Sequence, residues 1–529
     1  MLATVLSATL HGLDGRVVRV EVDVAPGLPG FSIVGLADTA LQESRERVRG
    51  AIRNSGFAYP PRRITVNLAP ADVRKSGASL DLAIAAAILL GSEQVRATGR
   101  WALVGELSLG GEIRGLPGVL PMVAALGRRG VHRVVVPAEA VAEARLVRGV
   151  EVIPAASLIE AATLIRAARS RPRRIEPAAR VELTAPEQAP LGETSASAGE
   201  TIPGVGRPIE VPDLSDVRGQ AEARRALEIA LAGGHGLLLV GPPGAGKTLL
   251  ARTIPGLLPP LDDAAALGAT IVASVAAERR IVGLVRRPPF RSPHHTTSYA
   301  GMVGGGPRVS PGEVTLADGG VLFLDELAEF DRDVLEALRQ PLEDGRVTIV
   351  RAGRAETYPA SFQLVAAMNP CPCGQAGEAD RACTCQRTVA ERYLARISGP
   401  LRDRIDLWVS MPRVPPAVLV GSTPPESSVL VGARIAAARE RQRERNARLN
   451  ATLAGRGLRT ACRLSRPNET RIVELAELEG LSARGTERLL RVARTIADLA
   501  GSDEVSREAL EEAARYRSPL RVLERRLAV

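Results

Sequence analysis

The chain has 529 residues and a formal net charge of +10, and its 45% hydrophobic and 24% charged residues are ordinary for a globular protein. Its length predicts about three or four domains. No apolar run reaches the roughly 18 residues of a membrane span, and the N-terminus lacks the basic region of a signal peptide. We therefore exclude a membrane or secreted protein and expect a cytoplasmic one.

The positive charge is weak support for a nucleic acid partner. The 69 basic residues include only two lysines, Lys75 and Lys247, and this skew is better explained by biased codon use than by a DNA surface. A lysine retained in such a background suggests chemistry that the planar guanidinium of arginine cannot perform.

Residues 1–168 predict an α+β domain. Runs typical of strands cover Val17–Val24, Arg63–Leu68 and Val131–Val136, and a helical pattern covers Ala37–Ser55.

The composition changes after this domain. Residues 169–212 are rich in Arg, Pro, Ser and Gly and predict a linker. In residues 213–414 helical patterns alternate with buried strands, which predicts an α/β sheet domain. Residues 415–529 are predicted to be helical, beginning with an arginine-rich helix at Gly432–Leu453.

The strongest motif is a phosphate-binding loop. It follows the apolar run Leu237–Val240 and precedes a helical segment, which is the context that such a loop requires. Its glycines let backbone N–H groups face a β-phosphate, Lys247 would contact the β- and γ-phosphates, and the Thr248 hydroxyl would ligate Mg²⁺. The predicted nucleotide-binding residues are Gly241, Pro242, Pro243, Gly244, Ala245, Gly246, Lys247 and Thr248.

Two further buried strands end in polar residues. Gly320–Leu324 is followed by Asp325, which would hold hydrated Mg²⁺, and by Glu326, which would act as the general base toward the attacking water. Phe362–Met368 is followed by Asn369, which is suited to orient that water and sense the γ-phosphate; the alternative is an Asn that caps a turn. These residues predict hydrolysis of the nucleotide as well as its binding.

Four of the five cysteines lie close together in the sequence. In a reducing compartment, four neighbouring thiolates suggest a tetrahedral zinc site. Both pairs have C-x-C spacing, which is tighter than the common C-x-x-C, so redox-active or unmetallated thiols remain the alternative. The fifth, Cys462, is predicted to be a buried hydrophobic side chain. The predicted zinc ligands are Cys371, Cys373, Cys383 and Cys385.

Longer stretches carry a resemblance to a known family. In the ATPase region they are Phe290–Thr296, Gly304–Gly306, Pro311–Ala317, Gly320–Phe330, Asn369–Gly374 and Ser398–Asp406. Near the N-terminus they are Gly27–Asp38 and Asn67–Asp72. These stretches resemble the bacterial YifB/ComM family of magnesium chelatase-like AAA+ ATPases, and the resemblance covers almost the whole chain except the linker around 170–205.

The resemblance implies an AAA+ P-loop NTPase core with an α-helical lid, assembled as a homo-hexameric ring with ATP between subunits. It implies that Arg404 is the arginine finger that completes the site of a neighbouring subunit. It also implies that Arg484 is the second sensor arginine of the lid, with Arg488 as the alternate.

Two segments resemble elements that project into the channel of such rings. In residues 347–358 apolar and polar residues alternate on either side of a Gly turn, which predicts a hairpin. Arg351 and Arg354 at its tip are candidate contacts for a DNA backbone. Residues 291–311 resemble the insert in the second helix. They contain two adjacent histidines, for which a metal role is not favoured because successive side chains diverge and no carboxylate is spaced to help. A solvent-facing hairpin is the alternative for both segments.

The first domain resembles the proteolytic domain of Lon-type proteases. Ser79 falls at the position of the nucleophile, but the partner lysine would fall near Leu120 and no lysine is there. Without a base the hydroxyl is a weak nucleophile, so we expect a non-proteolytic domain. The role of Lys75 is left open.

The resemblance implies an ATP-hydrolysing ring motor that acts on single-stranded or branched DNA, with helicase or branch-migration activity in homologous recombination or natural transformation. Its expected cofactors are ATP and Mg²⁺, with structural Zn²⁺ in the cysteine cluster. Its expected partners are DNA, further copies of the chain in a homo-hexamer and other recombination proteins. We do not expect a membrane to be a partner.

Two other functions are weighed against the DNA motor. The first is a chelatase-type motor that remodels a protein partner or drives metal insertion; the chelatase motor subunit lacks this N-terminal domain and the cysteine cluster, which favours DNA. The second is a Lon-like ATP-dependent protease, against which the missing lysine counts.

Overall fold

The computed structural model describes residues 1–35, 39–71, 75, 77–97, 99–167, 211–306, 309–351, 354–376, 383–421 and 425–517. These residues divide into two compact units. Unit 1 contains residues 1–167 and 262–285, and unit 2 contains residues 211–261 and 286–517.

Up to residue 167 the elements are β1 (Leu2–His11), β2 (Asp14–Ala25), β3 (Gly30–Val34), α1 (Thr39–Asn54), β4 (Arg63–Ala69), α2 (Asp81–Gly91), β5 (Ala102–Leu103), β6 (Glu106–Leu107), β7 (Ile113–Arg114), α3 (Val119–Arg128), β8 (Arg133–Pro137), α4 (Val141–Ala144), β9 (Glu151–Ala155) and α5 (Leu158–Ala167). The three predicted strands correspond to β2, β4 and β8. The predicted helix corresponds to α1, and its first two residues lie outside the described part of the chain.

A mixed seven-stranded sheet, in the order β3-β4-β2-β1-β5-β8-β9, forms the body of unit 1. In β2 the valines at 18, 20, 22 and 24 are buried, because alternate side chains of a strand point to one face and here that face is covered. The apolar helix α2 packs on β1 and β2 and is buried over almost its entire length. The buried side chains of β2 and α2 belong to one hydrophobic core cluster of unit 1.

From residue 211 the elements are α6 (Ala221–Gly233), β10 (Leu237–Val240), α7 (Lys247–Arg252), α8 (Ile254–Leu257), α9 (Asp263–Ala276), β11 (Phe290–Arg291), α10 (Tyr299–Val303), β12 (Gly304–Gly305), β13 (Ser310–Pro311), α11 (Glu313–Leu316), β14 (Val321–Leu324), α12 (Arg332–Ala337), α13 (Arg339–Asp344), β15 (Arg346–Arg351), β16 (Arg354–Pro359), β17 (Gln363–Met368), α14 (Arg387–Ala395), α15 (Gly399–Arg402), β18 (Leu407–Ser410), α16 (Pro416–Val420), α17 (Ser428–Asn446), α18 (Gly455–Cys462), α19 (Arg466–Leu478), α20 (Ala483–Leu499) and α21 (Arg507–Arg515).

Five parallel strands form the sheet of unit 2, in the order β11-β14-β17-β10-β18. Every residue of β10, β14 and β17 is buried, as expected for strands of a parallel sheet that is covered on both faces. Because these three strands are parallel neighbours, their carboxyl ends lie side by side at one edge of the sheet.

The segment that contains α9 packs in unit 1, although the sequence-based division placed it within the ATPase domain. Leu267 and Ile271 of α9 pack against the cluster that contains α3. The backbone N–H of Gly118 donates to the Ser274 carbonyl at 2.9 Å, and the Ser274 hydroxyl donates to Glu143. The chain therefore leaves unit 2 after α8 and returns to it before β11.

The C-terminal helices pack on the ATPase core within unit 2. The arginine-rich helix α17 lies against α6 and α20. Arg439 donates to a carbonyl of α6 at 2.6 Å, and Arg445 forms an ion pair with the buried Asp498 at 2.6 Å. The helix ends at Asn446, earlier than predicted, and the chain then turns so that the buried Asn450 donates to Asp498 at 2.7 Å. Several arginines of α17 thus make intramolecular contacts.

Residues 346–359 form the predicted antiparallel hairpin, β15 and β16, with Arg351 paired with Arg354. The side chains of these two arginines, the predicted DNA contacts, lie outside the part of the chain that the structure describes. Among the described helices, none combines the length and apolar character needed to cross a bilayer.

Candidate functional site

The phosphate-binding loop connects β10 to α7, and its glycines permit its path. Gly244 and Gly246 have φ values of +81° and +90°, where other residues are strained. A Cβ atom at Gly241 would lie 2.2 Å from the Met411 carbonyl oxygen. The loop can therefore curl with its backbone N–H groups available for a phosphate.

Lys247 lies at the centre of this loop and is 8% exposed. Its Nζ donates to two carbonyl oxygens of the loop, at 2.6 and 2.9 Å, and to Asn369 Oδ1 at 3.2 Å. Burial lowers the pKa of Lys247, and the negative charges of Asp325 and Glu326 oppose that shift.

Thr248 at the start of α7 contacts Asp325 at the end of β14, although β17 lies between β10 and β14 in the sheet. Thr248 Oγ1 donates to Asp325 Oδ2 at 2.6 Å, and Asp325 Oδ1 accepts from the Glu326 backbone N–H at 3.0 Å. Mg²⁺ in nucleotide sites takes one or two such oxygen ligands and completes its shell with water and phosphate oxygens. This pair of oxygens fits that requirement.

Lys247, Thr248, Asp325 and Asn369 were selected from three separate stretches of sequence, and the structure joins them by hydrogen bonds at one edge of the sheet. The physical reason is the parallel pairing of β10, β17 and β14, which aligns the ends of the three strands. Their chemical roles stay predictions.

Glu326 follows Asp325 in a left-handed backbone conformation, with φ of +54°. Its Oε2 lies 3.3 Å from His295 Nδ1, and the rings of His294 and His295 are 4.1 Å apart between centroids. The expectation that these histidines diverge and have no carboxylate near them is wrong. The contact depends on the pairing of β11 with β14, and no local pattern in the sequence could have revealed it.

Arg404 lies at the other edge of the sheet. Its backbone carbonyl packs against Gly236, directly before β10, and its side chain pairs with Glu343. The four residues of β10 separate this edge from the phosphate-binding loop by about 13 Å, at about 3.3 Å per residue. Arg404 is therefore not brought to the loop of its own chain.

The two lid arginines differ in their surroundings. The Arg488 side chain is 7% exposed and its Nη2 donates to Asp403 Oδ1 at 2.8 Å. Arg484, one turn earlier in α20, is exposed. Arg484 is thus accessible to a ligand, while Arg488 makes an intramolecular ion pair.

The four predicted zinc ligands are brought together, although residues 377–382 between them lie outside the described ranges. The Sγ atom of Cys371 lies 3.4 Å from that of Cys373 and 3.7 Å from that of Cys383, and all four Sγ atoms lie within 4.8 Å of one another. A tetrahedral zinc with Zn–S bonds of about 2.3 Å needs Sγ–Sγ separations of about 3.8 Å. The geometry therefore fits Zn²⁺. Cys462 is buried in another cluster, as predicted.

The segment that follows Cys371 and Cys373 packs directly on the phosphate-binding loop. A Cβ atom at Gly374 would lie 2.5 Å from Pro243 Cδ, and Gly374 has φ of +76°. Burial acts to raise the pKa of Cys373, but backbone N–H donors and the neighbouring thiols lower it to about 6. Burial instead raises the pKa of Cys371 to about 12.

The Lon-like residues are buried in unit 1. The Ser79 Oγ has no hydrogen-bond partner among the described residues, so nothing in them acts as its base. Lys75 is buried and donates to the Pro70 carbonyl, and Leu120 is a core residue of α3.

Comparison with known proteins identifies three regions. Family models for the magnesium chelatase subunit ChlI match residues 20–140 and 213–419, and a model for the C-terminal region of that subunit matches residues 425–517. The uncharacterized protein YifB of Salmonella typhimurium is 41% identical over 525 residues, which cover 99% of this chain and 98% of the relative. The competence protein ComM of Haemophilus influenzae is 38% identical over 527 residues, 99% of each chain. Lon protease 2 of Bacillus subtilis is 28% identical over 188 residues, 30% of this chain and 33% of the relative.

The parallel sheet, the phosphate-binding loop and the helical C-terminal region, together with these matches, define an AAA+ ATPase of the magnesium chelatase class. The chain belongs to the YifB/ComM family within that class, which confirms the resemblance noted in the sequence.

Proposed function

We propose that this chain is an ATP-hydrolysing motor that assembles as a homo-hexameric ring and acts on single-stranded or branched DNA, as a helicase or branch-migration motor in recombination or natural transformation. The observation that supports assembly as a ring is the position of Arg404 at the edge of the sheet opposite the phosphate-binding loop. An arginine finger placed there serves the site of a neighbouring copy. The relation to a competence protein supports DNA as the substrate.

Within one site, Lys247 and the backbone N–H groups of its loop bind the β- and γ-phosphates. Asn369 orients the attacking water, and Glu326 accepts its proton. Thr248 and Asp325 would hold Mg²⁺, which would supply positive charge to the phosphate oxygens.

The proposal also assigns the remaining parts of the chain. The four cysteines, whose Sγ atoms lie within 4.8 Å of one another, would hold a structural Zn²⁺. Arg351 and Arg354 contact the DNA backbone in the channel. The N-terminal domain is Lon-like without peptidase activity, which the partial similarity to a Lon protease supports.

A chelatase-type motor that remodels a protein partner or drives metal insertion is the second candidate. It is favoured by the matches to magnesium chelatase models in all three regions of the chain. The match over residues 20–140 contradicts the expectation that the chelatase subunit lacks this N-terminal domain.

The test is ATP hydrolysis by the purified protein, alone and with single-stranded, duplex or four-way-junction DNA. Lys247→Ala should abolish nucleotide binding, and Glu326→Gln should retain binding and stop turnover. Stimulation by branched DNA supports the DNA motor, whereas a rate that no DNA changes favours the chelatase-type function. Normal hydrolysis by either variant would overturn the site assignment.

A further inference from the structure

His235 is a buried polar residue between α6 and β10, outside the nucleotide site described above. Its side chain is completely buried, and both ring nitrogens have hydrogen-bond partners. Nδ1 donates to Asp406 Oδ2 at 3.0 Å, and Nε2 forms a hydrogen bond with Thr495 Oγ1 at 2.8 Å. Because a hydroxyl can donate or accept, the second bond forms whether or not Nε2 is protonated. His235 therefore links Asp406 to Thr495.

The two ends of this link belong to the lid and to the residues around the candidate arginine finger. Thr495 lies in the lid helix α20. Asp406 ends residues 403–406, the finger segment, which contains Arg404 and leads directly into β18. A hydrogen-bonded path thus runs from the lid helix through the imidazole to the finger segment.

The same helix holds the finger segment at its other end. Arg488 Nη2 donates to Asp403 Oδ1 at 2.8 Å. Arg488 and Thr495 are seven residues apart, which places both on one face of α20. The Asp403 side chain is 55% exposed, whereas that of Asp406 is 9% exposed. The contact through His235 is therefore the one that solvent and salt weaken least.

The backbone next to His235 is in direct contact with the finger segment. The Gly236 carbonyl accepts from the Asp406 N–H at 3.0 Å. A Cβ atom at Gly236 would lie 2.6 Å from the Arg404 carbonyl oxygen, so no side chain fits between the two segments. Because the contact is this close, a displacement of His235 would move the finger segment with it.

We propose that His235 is a positioning residue that relays the position of the lid helix to Arg404 of the same chain. The inference rests on the proposed ATPase function, in which Arg404 completes the site of a neighbouring copy. Nucleotide that binds one arrangement of the lid better than another would through this relay change the finger that the subunit presents to the next.

The first test removes the lid end of the relay and measures steady-state kinetics. Thr495→Val loses the hydroxyl and nearly keeps the shape of the side chain, whereas Thr495→Ser keeps the hydroxyl. Thr495→Val should lower kcat about threefold to tenfold, the range expected for one lost hydrogen bond, with KM for ATP changed by less than about twofold. Thr495→Ser should stay near the wild-type rate.

Leu458→Ala is the matched control, because it removes buried apolar contacts of the lid and none of the hydrogen bonds of the relay. Its kcat should stay closer to the wild-type value than that of Thr495→Val. An unchanged kcat in Thr495→Val, or an equal loss in Leu458→Ala, would overturn the relay.

Mixing experiments distinguish a relay to Arg404 from a defect in the variant's own nucleotide site. When Thr495→Val is mixed with Lys247→Ala, its intact loop meets an intact finger, so activity should exceed the sum of the two proteins assayed apart. When it is mixed with Arg404→Ala, it must itself supply the finger, so activity should equal that sum. The opposite pattern would overturn the relay. If Arg404→Ala and Lys247→Ala fail to restore activity to each other, the proposed ring itself is contradicted.

Discussion

Arg488 of the lid helix α20 donates a hydrogen bond to Asp403, with 2.8 Å between Nη2 and Oδ1. Asp403 is the residue directly before Arg404, the candidate arginine finger. Helix α20 is therefore hydrogen-bonded to the segment that carries the candidate finger, while the exposed Arg484 lies one turn earlier on the same helix. The two lid arginines should differ in function.

We expect Arg488→Met and Asp403→Asn to lower kcat more than they change KM, because the pair positions Arg404. Arg484→Ala should mainly raise KM for ATP if this arginine senses the nucleotide. Since the Asp403 side chain is 55% exposed, the pair should contribute less than about 1 kcal/mol to stability, which thermal denaturation of each variant would check. The reverse kinetic pattern would assign the sensor role to Arg488.

Arg404→Ala should eliminate hydrolysis and leave ATP affinity nearly intact, because the proposed finger would act across a subunit boundary. Mixing this variant with Lys247→Ala should restore part of the activity, since mixed interfaces combine an intact loop with an intact finger. Glu343→Gln is the control for the pair that Arg404 makes within its own chain, and it should remain active. A mixture as inactive as its components would contradict a finger supplied by the neighbour.

Purified protein that has not met a chelator should contain about one zinc per chain. Cys373→Ser should lose the metal, whereas Cys462→Ala should keep it, because Cys462 is buried away from the cluster. Because Gly374 packs on Pro243, loss of zinc should also weaken binding of a fluorescent ATP analogue. Elemental analysis and nucleotide titration measure the two effects. Absence of zinc from unchelated samples would refute the site.

Glu143 provides a test of the packing of α9 in unit 1. Its Oε1 accepts from the Leu120 N–H at 2.7 Å and from the Ser274 hydroxyl, and burial raises the pKa of Glu143. Because the pKa of Glu143 is raised in the folded state, this carboxyl group contributes fully to stability only at pH values below the pKa that it has in the unfolded chain. That contribution to stability is lost as the pH rises through the pKa of the folded state.

Glu143→Gln keeps an acceptor oxygen and removes the ionisation. The Tm of the wild-type protein should therefore fall relative to that of the variant as pH rises from about 5 to about 8. Calorimetry across this pH range makes the measurement, with Glu139→Gln, at a nearby exposed glutamate, as the control. Parallel pH profiles for the wild-type protein and Glu143→Gln would contradict a buried carboxyl at this place.

Local patterns in the sequence were enough to select most of the nucleotide site. Lys247 and Thr248 belong to a loop motif, and Asp325 and Asn369 directly follow apolar runs, which become β14 and β17. Arg404 could not be selected in this way, because arginine is abundant in the chain and the choice depended on a family resemblance.

Local sequence patterns are enough to identify the class of ATPase, the four cysteines of the candidate metal site and the residues at the ends of three strands, because each is encoded by neighbours along the chain. Three features are visible only in the fold: His295 contacts Glu326, Arg404 lies at the opposite edge of the sheet from the loop, and α9 packs in unit 1. The physical reason is strand pairing and helix packing. Both bring together residues that are distant in sequence, and no periodicity within either segment records its partner.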